Sequence, residues 1–456
     1  MNIPKVLILG RGARTVSKFS GMMDVLKSKS YIIYACDPDG WNDSISKKVH
    51  KKYFYWRNKL NISKNRVSKI EINLGISINQ ICSNYILYRD YNYLQGVRPN
   101  DYSSTDDITS RVINAYYFLQ YIIKYEGEPS LILIETIDTP ESYILNLIKK
   151  KAIMIESKFS GIGPIGMIPV TGLSRQNCYE TYNIRINVKR DINRIIKKIF
   201  AKKNEEAINY DTWHNKFYVW NTNKKLLKKS FESLKILPSQ NRGYVKYVLR
   251  TFKEKIFSRR YFYKNLSGSN NICFFLNHLP EATTFSEAPD YFDPFHIIMK
   301  LCINKPYNMT IYIKEHPRCL FRRPDNFYKR IARLPGVKLL HPQVKNLEVF
   351  KKCKAILAVT GTVGIQACTS QLQVGVLGRP FWSNAPWVTK LDKPEEIFNL
   401  AKKKCRVSVK KIYLKKLLST VTFFSKPEKF PSNYEIGKVT AEAAYSFFLK
   451  KHDDKK

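Results

Sequence analysis

The chain has 456 residues, 44% of them hydrophobic and 13% aromatic, which is enough apolar matter for two ordinary domains and too much for a disordered chain. Its 78 Lys and Arg against 37 Asp and Glu give a formal net charge of +41, a field that attracts polyanions: nucleic acid, an anionic membrane surface or phosphate-bearing substrates. No apolar run approaches the roughly 18 residues of a membrane span, and the nine cysteines form no CxxC pair, which argues for reduced core thiols over a zinc framework.

The first residues, "MNIPKVLILGRGAR", hold a short apolar run before a glycine turn, which reads as a strand and not a signal peptide. The expectation is a cytoplasmic protein, soluble or peripheral at the inner face of a membrane. "KVLILG" (5–10) and "YIIYACD" (31–37) are predicted strands with a helical stretch between them. A helix is predicted over 106–125, a strand over 130–136 ("SLILIET") and a helix over 140–152. Residues 156–176, with four glycines and two prolines, read as a loop. A basic, helical region follows over 189–264, where 21 Lys and Arg face 6 Asp and Glu. Its interleaved lysines and aromatics fit a solvated helix face, the commoner case for a charge run, or a basic face resting on anionic lipid; no nucleic-acid-binding signature accompanies them.

A second alternating series begins near 271. "NICFFLNH", "MTIYIKEHP", "VKLLHP", "KAILAVTGT" and "QVGVLG" read as strands with helices between. The tail from 394 is mostly helical, and its last seven residues read as a frayed end. Continuous apolar strands alternating with helices mean parallel sheets covered on both faces. The predicted fold class is therefore α/β: two Rossmann-like, doubly wound domains facing across a cleft in the GT-B manner. The expected divisions are 1–178, a basic linker or insertion at 179–268, a second Rossmann-like domain at 269–393 and a helical tail at 394–456.

Open parallel sheets bind ligands beyond the carboxyl ends of their strands, so the residues there are the candidates. After "TIYI" come Lys314, Glu315, His316 and Pro317. Lys314 can neutralise phosphate, His316 can donate to phosphate or ribose and carry a proton, Glu315 can orient the histidine or accept from hydroxyls, and Pro317 fixes the turn. A charged strand-end turn is the plain alternative. After "AILAV", Thr360, Gly361 and Thr362 open a helix, where backbone amides and hydroxyls suit an anion and where an ordinary N-cap serves as well. Glu281 follows the strand at 271–278 and reads as a site carboxylate or a cap. Glu135 and Asp138 follow the strand at 130–136; either can act as a base or stabilise cationic character, and Asp138 is equally a turn residue before Pro140. Gly10 and Gly12 in "GRGART" partly match a dinucleotide fingerprint, but the third glycine is missing, so an NAD enzyme is a minor reading and the loop is expected to line the cleft. His341-Pro342 ends a strand with no lysine before it and reads as structural.

"HLPEATTFSEAPDYFD", "YIKEHPR", "VTGTVGIQA" and "VGVLGRPFW", in this order, resemble the capsule polysaccharide biosynthesis family, relatives of the capsular Kdo transferases. The resemblance spans about residues 272–390, with Leu279 where the family has Gln and Gln366 where it has Glu. It implies sugar transfer from a nucleotide-sugar donor, CMP-linked in several relatives, onto a glycan or lipid-linked glycan acceptor. By resemblance His316 and Lys314 contact the donor nucleotide and phosphate, and Thr360, Gly361 and Thr362 hold the phosphate; an acidic strand end near Glu135 belongs to the same pattern. No Asp-x-Asp stands in the expected place, so no metal and no cofactor are expected. The expected partners are the donor, the acceptor and an anionic membrane surface, without nucleic acid. The rival readings are a CDP-polyol phosphotransferase of the same layout and a non-enzymatic basic membrane- or nucleic-acid-binding protein.

Overall fold

The computed structural model describes residues 3–10, 16–58, 63–82, 105–134, 139–149, 152–157, 167–168, 170–172, 180–181, 253–254, 256–279, 284, 287–321, 323–324, 326–380, 382–403, 410–412, 422–423 and 432–453. Gly12, Glu135, Asp138, Glu281 and nearly all of the basic region 189–264 lie outside them.

Two seven-stranded sheets form the frame. The first has the order β3-β2-β1-β4-β5-β7-β8, with β1 Lys5–Leu9, β2 Tyr31–Cys36, β3 Lys51–Phe54, β4 Leu131–Ile134, β5 Ile153–Ser157, β7 Val170–Gly172 and β8 Glu180–Thr181. Its first five strands are parallel, and β7 and β8 continue it antiparallel. The second has the order β15-β14-β13-β10-β11-β12-β9 and is parallel throughout, with β9 Phe262–Tyr263, β10 Asn271–Phe275, β11 Thr310–Lys314, β12 Val337–Leu340, β13 Ala355–Ala358, β14 Gln373–Val376 and β15 Val388–Lys390. A separate pair joins β6 Met167–Ile168 to β16 Thr422–Phe423, antiparallel. These are two doubly wound α/β sheets, as the sequence predicts.

The central strands are buried on both faces, as parallel sheets require. Alternate residues feed opposite cores. Leu7, Leu9, Ile33 and Ile132 pack on the helix Thr105–Glu126, while Val6, Ile8, Ile32 and Leu131 pack on the helix Val16–Leu26. The second sheet divides likewise: Cys273, Phe275 and Ile356 lie on one side, Ile272, Phe274 and Leu357 on the other.

Four sequence expectations need correction. The helix after β4 stops at Ile148, not 152, and the chain re-enters the sheet as β5. The stretch 156–176, expected as loop, contributes β6 and β7. The basic region, expected to stay helical to 264, ends in β9, the edge strand of the second sheet. The C-terminal helix Asn433–Asp453 runs into the segment read as frayed. That helix belongs to the first unit's packing: Ala441, Ala444 and Phe448 complete the core around Val6 and Ile8.

Candidate functional site

β10, β11 and β13 are neighbours, with β10 in the middle, so the residues just past their carboxyl ends share one edge of the second sheet. Register fixes this: Phe275 pairs with Lys314, Lys314 with Leu340, and the amide of Leu276 donates to the Lys314 carbonyl at 2.9 Å.

Glu315, one residue past β11, is fully buried. Its carboxylate accepts from Arg323 Nε at 3.0 Å and Nη2 at 2.7 Å, from the Tyr328 hydroxyl at 2.8 Å and from the His316 backbone amide at 2.6 Å. A buried charge stands only when paired and hydrogen-bonded, and here both conditions are met. Burial, with the Glu315 carboxylate beside it, raises the Tyr328 hydroxyl well above its ordinary pKa, so it stays protonated and donates. Arg323 Nη2 also donates to the Asn277 carbonyl at 2.7 Å, tying β11's end to β10's. Asn277 Nδ2 in turn donates to Thr360 Oγ1 and Thr284 Oγ1, each at 2.9 Å, reaching β13's end and the Thr of the "PEATT" motif. One polar network thus joins Glu315, Arg323, Asn277, Thr284 and Thr360 across three strand ends.

His316 is half-buried above this network, its amide fixed by Glu315. Its ring lies 5.3 Å, centroid to centroid, from that of His278, two residues past the pairing tail of β10. Pro317 opens a short 3-10 turn, Pro317–Cys319, and the Cys319 thiol donates to the Leu279 carbonyl while accepting from the Leu279 amide. Leu279, where the family has Gln, is therefore held by its backbone and buried by its side chain.

Lys314 is 2% exposed. Its ammonium donates to the Pro342 carbonyl at 3.2 Å and lies 5.5 Å from the centre of the Phe275 ring. It stands beneath the edge, not on it. His341, next to Pro342, is pushed down to about 4 by burial first and then by the positive charges of Lys264, Lys314 and Arg259. That imidazole is neutral at physiological pH, and its Nδ1 accepts from the Gln343 amide at 3.2 Å.

Thr360 is buried in the network, while Gly361 and Thr362 are half-exposed. The helix they open is a single turn, Val363–Gln366, followed by a 3-10 turn, Ala367–Thr369. The first amides to bond within it are those of Gly364, Ile365 and Gln366. Gly364 is glycine for space: a Cβ there would stand 2.2 Å from the Trp382 ring, and its carbonyl accepts from Trp387 Nε1 at 2.9 Å. The glycine and tryptophan of the motif are one packing unit. Gln366, where the family has Glu, is buried and accepts from Asn346 Nδ2 at 3.0 Å.

In the first unit, Gly10 sits at the end of β1, where a Cβ would stand 2.2 Å from the Tyr34 hydroxyl. Its carbonyl accepts from the Tyr55 hydroxyl at 2.8 Å. Close packing alone therefore requires glycine at that position. Near the same edge Arg57 bridges Asp37 at 2.6 Å and buried Glu141 at 2.7 Å. Burial opposes charge on Glu141, but Arg111 and Arg57 hold its pKa below the usual carboxylate value. Among the described residues no group of three or more His, Cys, Asp or Glu side chains could hold a metal ion.

His316, Lys314, Glu315 and Thr360–Thr362 are sequence candidates; Asn277, His278 and Arg323 are not among them. Asn277 and His278 were legible as strand-end residues in "FFLNH"; Arg323 gave no local signal, since its partners lie 8 and 46 positions away.

Residues 288–425 match the family model described as "Capsule polysaccharide biosynthesis protein", which is the family the motifs resemble. No curated protein matches the chain. Among solved structures, the chain is similar to KpsC of Thermosulfurimonas dismutans, a beta Kdo 2,7 transferase, at 13% identity over 75% of this chain and 95% of that one, with a TM-score of 0.37. It is also similar to UDP-GlcNAc 2-epimerase of Neisseria meningitidis bound to UDP-GlcNAc, at 14% identity over 98% and 100% of the two chains, TM-score 0.27. A third is Anabaena Alr3699/HepE in complex with UDP and glucose, at 9% identity over 99% of both chains, TM-score 0.30. Similarities at these scores bring no activity to this chain.

Proposed function

We propose that the chain is a glycosyltransferase that uses a nucleotide-activated sugar in the synthesis of a capsule or other surface polysaccharide. The observation that carries this reading is the buried network from Glu315 to Thr360. It holds His316 and the Thr360–Thr362 turn on one edge of a parallel sheet, beyond the carboxyl ends where such sheets take ligands. The family match over 288–425 supports the pathway.

In the proposed reaction the bond between the sugar's anomeric carbon and the donor's phosphate oxygen breaks, and its electron pair leaves with the phosphate. The acceptor hydroxyl oxygen bonds to the anomeric carbon, and its proton passes to a carboxylate of the first unit, Glu135 or Asp138. His316 and the 360–362 turn stabilise the charge that develops on the leaving phosphate; donors fixed in advance cost no reorganisation when the charge appears. Lys314, buried beneath, adds positive potential to the edge without contact.

The test is a thermal-shift panel with CMP, CDP, UDP, GDP and, for the rival reading, CDP-glycerol, on the wild-type chain and on His316→Ala. We expect one nucleotide to raise the wild-type midpoint and His316→Ala to lose that rise while keeping its own midpoint. A CMP response supports a CMP-linked donor. Stabilisation by CDP-glycerol in place of any nucleotide sugar replaces this reading with the polyol phosphotransferase. An equal response of both proteins removes His316 from the site.

A further inference from the structure

Two of the four stretches that resemble the family, those with His316 and Thr360–Thr362, run past the ends of β11 and β13, and β10, whose end leads into a third at His278, runs between them. A ligand that touches both His316 and the 360–362 turn therefore lies across the end of β10. The residues at that end are Asn277 and His278. Asn277 is consumed by the network: its side-chain amide donates to Thr284 and Thr360, and its carbonyl accepts from Arg323. Its Oδ1 lies 3.5 Å from where a Gly361 Cβ would stand, which brings the 361 backbone against the same strand end. His278 follows at once on this clamped backbone. It is half-buried, and its ring is tilted 52° against that of His316 with centroids 5.3 Å apart.

From this geometry we infer that His278 is a second imidazole for the donor's phosphate, acting with His316. The inference rests on the reading proposed above and adds a residue to it. A phosphate has several strong acceptor oxygens, and an imidazole offers one N–H when neutral and two when protonated. Two rings at this separation reach different oxygens of one phosphate, or the leaving and the neighbouring phosphate of a diphosphate. A lone ring stabilises the leaving oxygen; a pair also fixes the phosphate's rotation, so the scissile bond is aimed at the acceptor. His278 forms no bond to the sugar and takes no proton from the acceptor.

A packing role is the competing account, because tilted aromatic pairs stabilise each other. Phe keeps the ring and removes the N–H; Gln keeps an N–H donor and removes the ring. The experiment is a calorimetric titration with the nucleotide that stabilises the wild-type chain best in the panel. It is run on the wild type, His278→Phe, His278→Gln and His316→Ala, with thermal midpoints recorded alongside. We expect His278→Phe to bind about 10- to 100-fold more weakly, the loss of one hydrogen bond to a charged group. His278→Gln should recover part of that loss, and both midpoints should stay near wild type. If His278→Phe binds as wild type while His316→Ala does not, this inference falls and the proposed function stands. If His278→Phe keeps affinity and His278→Gln loses it, the ring's packing is what matters and the inference falls. If the wild type binds none of the four nucleotides, the proposed function fails first and takes this inference with it.

Discussion

Glu315 and Arg323 are opposite charges with side chains entirely removed from solvent, 2.7 Å apart. Taking both from water is costly, and the carboxylate's four partners and the guanidinium's bond to Asn277 are what offset it. Removing one partner leaves the other charge buried and uncompensated. Arg323→Met should lower unfolding free energy by about 3–5 kcal/mol in urea, and adding Glu315→Leu should restore part of that loss. A single-variant loss well under about 1 kcal/mol would show the pair to be dispensable. His341 gives a second residue-level prediction. Its pKa is near 4 folded against 6.5 unfolded, so between these values the unfolded chain binds the extra proton. Its contribution is complete above about pH 6.5 and is lost as pH falls through that window towards 4. His341→Asn should therefore flatten the drop in melting temperature between about pH 7 and pH 5 relative to wild type. Identical slopes would mean that the histidine titrates alike in both states.

The C-terminal helix Asn433–Asp453 crosses the helix Val16–Leu26 at contact distance. A Cβ at Gly437 would stand 1.8 Å from the Lys18 carbonyl, and one at Gly21 2.1 Å from the Tyr434 carbonyl. Only two glycines let these backbones approach so closely, and Ala441 and Ala444 continue the narrow seam into the core. Gly437→Val should force the helices apart at a cost of about 1–3 kcal/mol and expose the C-terminal helix to limited proteolysis. An unchanged digestion pattern would refute the close crossing. This seam was hard to read in sequence, because glycine and alanine spaced along a polar helix give no apolar stripe. The central strands were legible for the opposite reason: burial on both faces leaves an uninterrupted apolar run, as in "KVLIL" and "AILA". β3, "KKYF", is an edge strand with mostly exposed residues, so nothing in its composition marks it as sheet. The candidate site divides the same way. His316 and Thr360–Thr362 follow recognisable strands, whereas Arg323 matters through Glu315 and Asn277, just past the ends of two strands, which no local pattern reports.

At the scale of the molecule the dominant property is charge: +41 over 456 residues. Among the described residues no helix is long and apolar enough to cross a membrane. A long-range field of this sign raises the local concentration of anionic partners and weakens steeply with salt. The same charge also serves a phosphate-bearing donor, so the two roles need separating by experiment. Vesicle sedimentation does this, because a nucleotide donor has no part in it. If the surplus charge docks the protein near a lipid-linked acceptor, it should sediment with vesicles rich in phosphatidylglycerol at about 0.1 M salt, where the screening length is about 10 Å. It should be released at about 1 M, where that length falls to about 3 Å, and should ignore phosphatidylcholine vesicles at both. His316→Ala should sediment as wild type does, since the imidazole is proposed to act on the donor. Equal recovery from anionic and neutral vesicles would sink the membrane role and leave the charge to the polyanionic substrates alone.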